Sequence, residues 1–452
     1  MASISKDKTY VFEAMPVRQA VWKQALPAIA SQMVVLIYNL ADTYFVGMLD
    51  DPIQTAAVTV AFPSFLMLTA ISNLFGVGGA SRVAQSLGEK RADRAAQISA
   101  ISFWGGVCCA ILYSLLFLGI AHPILTLCGA KADTYATARG YAQWVIVFGA
   151  LPTIMNTLLA NLTRAEGNAN RAFWGVTMGG ILNIILDPLF ILPQFLGLGA
   201  IGAGIATMLS NLTAALFLLG NILFNQTSTV LRVDPKLLRY TREHVGRILA
   251  IGFPSALQIG LTAVAVAAQA KFVSKYATQA VAGLGIAKKI DNLPLYFSIG
   301  LANGLLPLLA YNYSSGDQQR RRDALRVGCT ISLSFCLITL VVFEVFAPQC
   351  TALFIDDPDT IRYGAAFLRR LMVSMPFMSL CYPLIIHFQA IGKVRQSLIC
   401  SILRKGVLDI PLLFLMDRLF PLYGCMWVQT MVDVISLTAV IYFCRGLKKE
   451  GL

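Results

Sequence analysis

Arg171-Ala-Phe-Trp-Gly-Val-Thr-Met-Gly-Gly-Ile-Leu-Asn183-Ile-Ile-Leu-Asp187-Pro188-Leu-Phe-Ile-Leu192 is long and apolar enough to cross a bilayer, yet it carries a carboxylate near its middle. A membrane helix needs about 20 such residues. A charge at bilayer depth costs about 2.5 to 3.5 kcal/mol on insertion scales, so a chain that keeps one has a use for it. Asn183 and Asp187 are four apart and share one helix face. A second lone carboxylate, Asp42, lies in the first apolar run. Together the three define a small polar site in an otherwise greasy half-chain.

Working outward, the same pattern recurs. Charged residues make up 13% of the 452 residues and hydrophobic ones 57%, and the mean hydropathy is +0.69. No solvated surface tolerates that composition, so the chain is a polytopic, all-α membrane protein. Apolar runs predict twelve spans: 25–46, 53–81, 95–120, 135–160, 171–192, 200–223, 246–271, 278–305, 325–347, 361–387, 397–416 and 423–444. The net charge of +13 would point to nucleic acid were the cations not confined to alternate connections. They gather at Lys6, Lys8, Arg18 and Lys23, at Lys90, Arg91 and Arg94, at Arg232 to Arg247, at Arg320 to Arg326, at Lys393 and Arg395, and at Arg445, Lys448 and Lys449. Intervening connections are acidic or neutral, such as Asp50-Asp51-Pro52 and Asp356-Asp357-Pro358-Asp359. The alternation predicts cytoplasmic termini in a cell membrane, with lipid around the chain and no nucleic-acid partner. The first 24 residues read as a cytoplasmic amphipathic lead-in without a signal peptide. The ten cysteines, scattered through apolar runs, read as buried free thiols.

The sequence also repeats itself. Leu26-Pro27-Ala28 is echoed by Phe253-Pro254-Ser255, and Phe45-Val46 by Phe272-Val273. Gly88-Glu89-Lys90 is echoed by Gly316-Asp317, and Arg164-Ala165-Glu166-Gly167 by Gln389-Ala390-Ile391-Gly392. A period near 227 spans an even number of crossings, so two six-helix bundles are related by an axis along the membrane normal. The expected division is a lead-in at 1–24, a first lobe at 25–224, a cytoplasmic loop at 225–246, a second lobe at 247–445 and a tail at 446–452.

Tyr38-Asn39-Leu40-Ala41-Asp42-Thr43-Tyr44-Phe45-Val46-Gly47, Asn183 to Ile191, Gly197-Leu-Gly199-Ala-Ile-Gly202-Ala-Gly204 and Ala310-Tyr311-Asn312-Tyr313, in this order, resemble motifs of the multidrug and toxic compound extrusion (MATE) transporters. The chain is most similar to the bacterial subgroup typified by staphylococcal multidrug exporters. The resemblance implies a V-shaped twelve-helix fold, no enzymatic activity, and export of amphipathic, often cationic compounds against inward H⁺ or Na⁺. It places ion coupling at Asp42 and Asp187, with Asn183 and Thr207 beside them and Asn156 and Asn161 as companions. Some relatives use carboxylates in the seventh and tenth helices; here those spans offer Gln258, Gln269, Arg369 and Arg370.

Two carboxylates in one low-dielectric cavity do not both stay charged without a proton or a cation between them. Na⁺ at Asp42 and Asp187, with Asn183 and Thr207 as further oxygen ligands, is one expectation; protonation is the other. No other cofactor is implied, and three scattered histidines form no metal set. Pro27 and Pro188 are candidate hinges, and a monomer suffices. Candidate substrate contacts are Gln32, Met33, Asn39, Met178, Gln258 and Asp433, the last chosen as a counter-charge because it lacks a local partner. Asp187 is otherwise a cap before Pro188, and Asp42 an interfacial acid. Lys288 pairs with Asp291 at i+3, and Lys405 with Asp409 at i+4. The glycines at 197, 199 and 202 imply close helix packing, without the strand that a dinucleotide site requires. Two alternatives are a lipid-linked precursor flippase, which would ring its cavity with Lys and Arg, and a membrane-embedded enzyme.

Overall fold

The computed structural model describes residues 6–49, 51–273, 275–276 and 278–449. Asp50, the side chains of Lys6, Lys8, Lys448 and Lys449, and the extremes of the lead-in and tail lie outside the described residues. Every regular element within them is helical. After α1 (Lys6–Glu13), the first half comprises α2 (Val17–Gly47), α3 (Pro52–Gly88), α4 (Ala92–Leu127), α5 (Tyr135–Ala142), α6 (Ala150–Ala165), α7 (Ala169–Ile191) and α8 (Gly199–Phe224). The second comprises α9 (Thr241–Val273), α10 (Thr278–Ser314), α11 (Gln318–Ala352), α12 (Pro358–Met372), α13 (Met375–Ala390), α14 (Val394–Arg404), α15 (Asp409–Leu419) and α16 (Gly424–Lys449).

These helices cover the twelve predicted spans. Nine are long, apolar and continuous, and two crossings are bent, by 48° between α5 and α6 through a π-turn at Gln143–Phe148 and by 47° between α12 and α13. The crossing at 397–416 is split into α14 and α15, with Gly406 at φ +133° in the break. Only a residue without Cβ takes that conformation cheaply. Acids of the non-basic loops are spent on helix starts: Asp51 accepts from the Ile53 N–H at 2.9 Å. Asp357 accepts from the Thr360 N–H at 2.9 Å, and with the Thr360 hydroxyl this holds its carboxyl below the usual carboxylate range.

The repeat extends to features that no string match reveals. α4 departs from helical geometry at Ile120, before Pro123, and α11 at Phe346, before Pro348. Proline cannot donate to the carbonyl four residues back and collides with it. In α11 that freed carbonyl, Glu344 O, takes the Arg369 Nε–H at 3.0 Å instead. Exposed stripes sit at matching addresses, Leu112, Leu115 and Leu116 on α4 and Ile338, Val341 and Val342 on α11. In water such stripes would be a liability; here they are the lipid-facing flanks. Four cysteines, Cys336, Cys381, Cys400 and Cys425, are buried, and Cys108 is exposed, a correction to the expectation that all ten pack as buried thiols.

The halves meet along α2–α10 and α3–α9 at one end. A Cβ at Gly252 would lie 1.8 Å from Leu74 O, and one at Gly78 2.1 Å from Ile248 O, so the α3–α9 backbones approach as only glycine permits. Ser81 Oγ donates to Gln389 O at 2.9 Å and Gln85 Nε2 to Ala390 O at 2.7 Å. α1 reinforces this end: Phe12 stacks on Tyr311 at 4.9 Å, and the Arg320 guanidinium donates to Val11 O at 3.2 Å and Met15 O at 2.6 Å. At the other end of the same helices, Tyr44 and Val264 are exposed.

The polar connection between the halves is not a free linker. Leu231 is fully buried, Arg232 N–H donates to Ser99 Oγ at 2.8 Å, and Trp104 Nε1–H donates to Val233 O at 2.9 Å. The Glu166 carboxylate accepts from Thr229 Oγ1 at 2.6 Å, Asn168 Nδ2 at 2.6 Å and Val230 N at 3.2 Å. Hydrogen bonds to a charged group contribute about 1.5 to 3 kcal/mol each. Glu166→Ala is therefore expected to lower the thermal unfolding midpoint in detergent, with a loss of about 2 to 3 kcal/mol. An unchanged midpoint would show that the strap is not held there.

Candidate functional site

The polar site forms where α2, α6, α7 and α8 converge. Asp42 and Asp187 both lie inside helices, which removes the capping explanation for Asp187. Asp187 is fully buried and Asp42 half-buried, and the Asp42 carboxyl lies against Asp187, Asn183 and Thr207. Asn183 Nδ2 donates to Asp187 Oδ1 at 3.2 Å. Asn156 Nδ2 donates to Asn211 Oδ1 at 2.9 Å, and Asn211 Nδ2 to Thr207 O at 2.9 Å. The amide N–H groups are thus directed at protein acceptors, and oxygens are what remains. Asp42 Oδ1, Asp187 Oδ2, Asn183 Oδ1, Asn156 Oδ1, Thr207 Oγ1 and Ser210 Oγ are buried without a hydrogen-bond partner.

Buried polar atoms seldom stay unsatisfied, so six such oxygens in one locality, two of them hydroxyls that also donate, mark a place for a polar or charged occupant. The adjoining cavity, lined by Tyr38, Asn156, Asn183, Thr207, Ser210 and Asn211, is far too small for a drug-sized molecule.

Two tyrosines that the sequence gave no reason to choose complete the setting. Tyr141, 9% exposed, faces both carboxylates. Tyr38 lies near Asp42 and near Tyr296 of α10, and Tyr296 lies against Asn39. Asn39, a candidate substrate contact, therefore reaches across to the second half. The end of the lobe contact falls one helical turn from the acid site. A spacing rule for Tyr38 exists, since it precedes Asp42 by four residues, but a tyrosine in a membrane helix gives no sign of which neighbour it meets.

Other expected residues fall elsewhere. Asn161 Oδ1 accepts from Arg164 Nη1 at 2.7 Å, so it belongs to the buried polar group near Glu166 and not to the acid site. Met178 lies with Trp174, Ile181 and Ile185 on the exposed stripe of α7, opposite Asp187, and faces lipid. Met33 packs against the main core, and Gln32 and Gln258 are half-buried on α2 and α9. Lys288 lies 3.8 Å from Asp291, as the i+3 spacing predicts. Lys405 Nζ instead donates to Gln429 at 2.6 Å, because the chain leaves helical geometry before Asp409, whose carboxylate takes the Gly406 N–H at 2.8 Å.

Asp433 is the largest correction. It is fully buried, Arg404 Nε lies 3.3 Å from one carboxylate oxygen, and Gln429 Nε2 donates to the other at 2.8 Å. Its charge is already answered, and no counter-charge is left for a substrate. Removing one member of a buried pair costs about 3 to 5 kcal/mol. Asp433→Asn should accordingly depress the unfolding midpoint while the substrate profile of the remaining folded protein stays as it was. A stable variant with an altered profile would restore the substrate role.

Two helical halves packed along α2–α10 and α3–α9, with an oxygen-lined site buried in the first, describe a membrane transporter. The MatE family model matches residues 27–189 and 254–415, two segments that start 227 residues apart, and the chain belongs to this family. It is 30% identical over 97% of its length, and 96% of the relative's, to the multidrug export protein MepA of Staphylococcus aureus (strain MRSA252). It is 28% identical over the same shares to MepA of Staphylococcus saprophyticus. Its fold superposes with a TM-score of 0.90, at 24% identity and over 99% of this chain and 100% of the other, on the outward-facing conformation of a multidrug resistance MATE family transporter.

Proposed function

We propose that the chain exports amphipathic, often cationic small molecules across the cell membrane by alternating access, in exchange for H⁺ or Na⁺ taken up at Asp42 and Asp187. The observation that carries the reading is the set of unpartnered oxygens around two neighbouring carboxylates. With the termini in the cytoplasm, as the basic connections imply, the sealed end is cytoplasmic and the described state faces outward. From outside, a proton or Na⁺ neutralises the pair, and the α2–α7 contact tightens. The change passes through Tyr38 and Asn39 to Tyr296 on α10, where it biases the seal between the lobes. Loss of the cation to the cytoplasm resets the site.

Three of the four mid-span basic residues on which the flippase alternative rests are engaged within the protein: Lys288 pairs with Asp291, Arg369 serves Glu344 O, and Arg370 donates to Ala366 O at 2.7 Å, which leaves Lys289. Dye efflux from proteoliposomes under an inward pH gradient, and then under an inward Na⁺ gradient at constant pH, tests the proposal. Efflux driven by one gradient is expected and names the ion. Efflux indifferent to both would overturn it.

A further inference from the structure

The second half holds its own polar cavity, of at most about 300 Å³, lined by Gln269, Lys288, Lys405, Asp409 and Gln429 among others. The repeat gives this cavity an address. Leu26-Pro27 and Phe253-Pro254, and Phe45-Val46 and Phe272-Val273, stand 227 residues apart, so position 269 corresponds to position 42. Gly167 and Gly392 stand 225 apart, so position 405 corresponds to position 180, which lines the first cavity. Where the first half presents Asp42 and Gly180, the second presents Gln269 and Lys405. By the same offsets Asp187 corresponds to Leu412, so both acid positions are lost, while an ammonium at 405 and an acid at 409 are gained.

The charges around Lys405 balance. Lys288 and Asp291 face it from α10, Arg404 precedes it on α14, Asp409 opens α15, and Asp433 projects from α16. With Lys405 itself these make three cations and three acids. Lys405 donates to Gln429, Gln429 to Asp433, and Arg404 holds Asp433, so the ammonium is wired to both the amide and the acid. The first site has two acids and no such group.

We propose that Lys405 is a tethered cation, standing where the first half takes up an exchangeable one, so that the second half is an ion site kept filled from within the chain. The inference rests on the function proposed above. It gives the two lobes different duties from one ancestral site: one cycles a cation, the other stays charged through the cycle. Removing the ammonium leaves Asp291, Asp409 and Asp433 facing Lys288 and Arg404, an excess of one acid around a vacated cavity. That cavity then takes Na⁺ or a proton.

The test uses the full-length chain with Asp42→Asn and Asp187→Asn, which silences the first site, and thermal unfolding in detergent with choline or Na⁺ at pH 6 and pH 8. The silenced chain is expected to ignore Na⁺ at either pH, and its response to pH is the baseline from which the Lys405 variants are read. Adding Lys405→Met should restore a dependence, a rise of about 3 °C in midpoint on adding Na⁺ or on acidification, and adding Asp409→Asn should abolish it again. Lys405→Gln, which retains a hydrogen-bond partner for Gln429, guards against a folding failure and should gain the same dependence. Folded Lys405 variants whose midpoints respond to neither cation beyond that baseline overturn the inference. If the silenced chain itself still responds to Na⁺, the first-site proposal fails, while the Lys405 comparison is read from the difference between the two chains.

Discussion

Asp42→Asn and Asp187→Asn are each expected to reduce ethidium or Hoechst efflux by about tenfold or more, toward the level of cells without the protein, while leaving its amount in membranes unchanged. The two carboxyls lie together beside Asn183, and on the proposed coupling each supplies half of what the cation binds. A cation shifts a conformational equilibrium only by its differential affinity for the two states, and a shift from 1:99 to 99:1 needs about 5.5 kcal/mol of it. An amide in place of either carboxylate removes one of the two acids that would draw the cation, and among the described residues no third acid is recorded in the site. Asp433→Asn supplies the contrast, since its cost falls on stability. Wild-type efflux from both Asp42→Asn and Asp187→Asn would sink the coupling site.

Gly252→Leu should be comparably damaging by a different route. Its Cβ would sit 1.8 Å from Leu74 O, a backbone atom with nowhere to move. The helices α3 and α9 must then separate, and the seal that defines the described state is lost. In a chain whose ten native cysteines are replaced, a cysteine at Ser81, which is fully buried in that seal, should become reactive to a membrane-impermeant thiol reagent when Gly252→Leu is added, and efflux should cease. Continued protection of that cysteine would show that the halves pack some other way.

Much of this was legible because bilayer depth makes polar residues conspicuous. Asp42, Asn183 and Asp187 stand out as isolated groups in apolar runs, and helical spacing already joined the last two. The twelve spans follow from run length, and the pairing of Lys288 with Asp291 from an unbroken turn. The failures share a cause: spacing rules hold only while the helix does. Lys405 and Asp409 are four apart on paper, but the break at Gly406 turns them to different partners. Asp433 has no charged partner within a helical turn because Arg404 is distant in sequence, and Asn161 is not separable from the site by sequence because helix periodicity does not say which neighbour a face meets. Met178 shows the converse, since an apolar residue fits lipid and cavity equally well until the acid face of α7 is located.

The strap formed by Thr229 to Val233 determines where the chain can give. Because Glu166, Ser99 and Trp104 fasten it to the leading half, whatever rocking the two bundles undergo has its covalent pivot beyond Val233, close to the start of α9. The joint is a short tether anchored on one side, so the trailing bundle swings from its partner's flank as a door swings from a jamb.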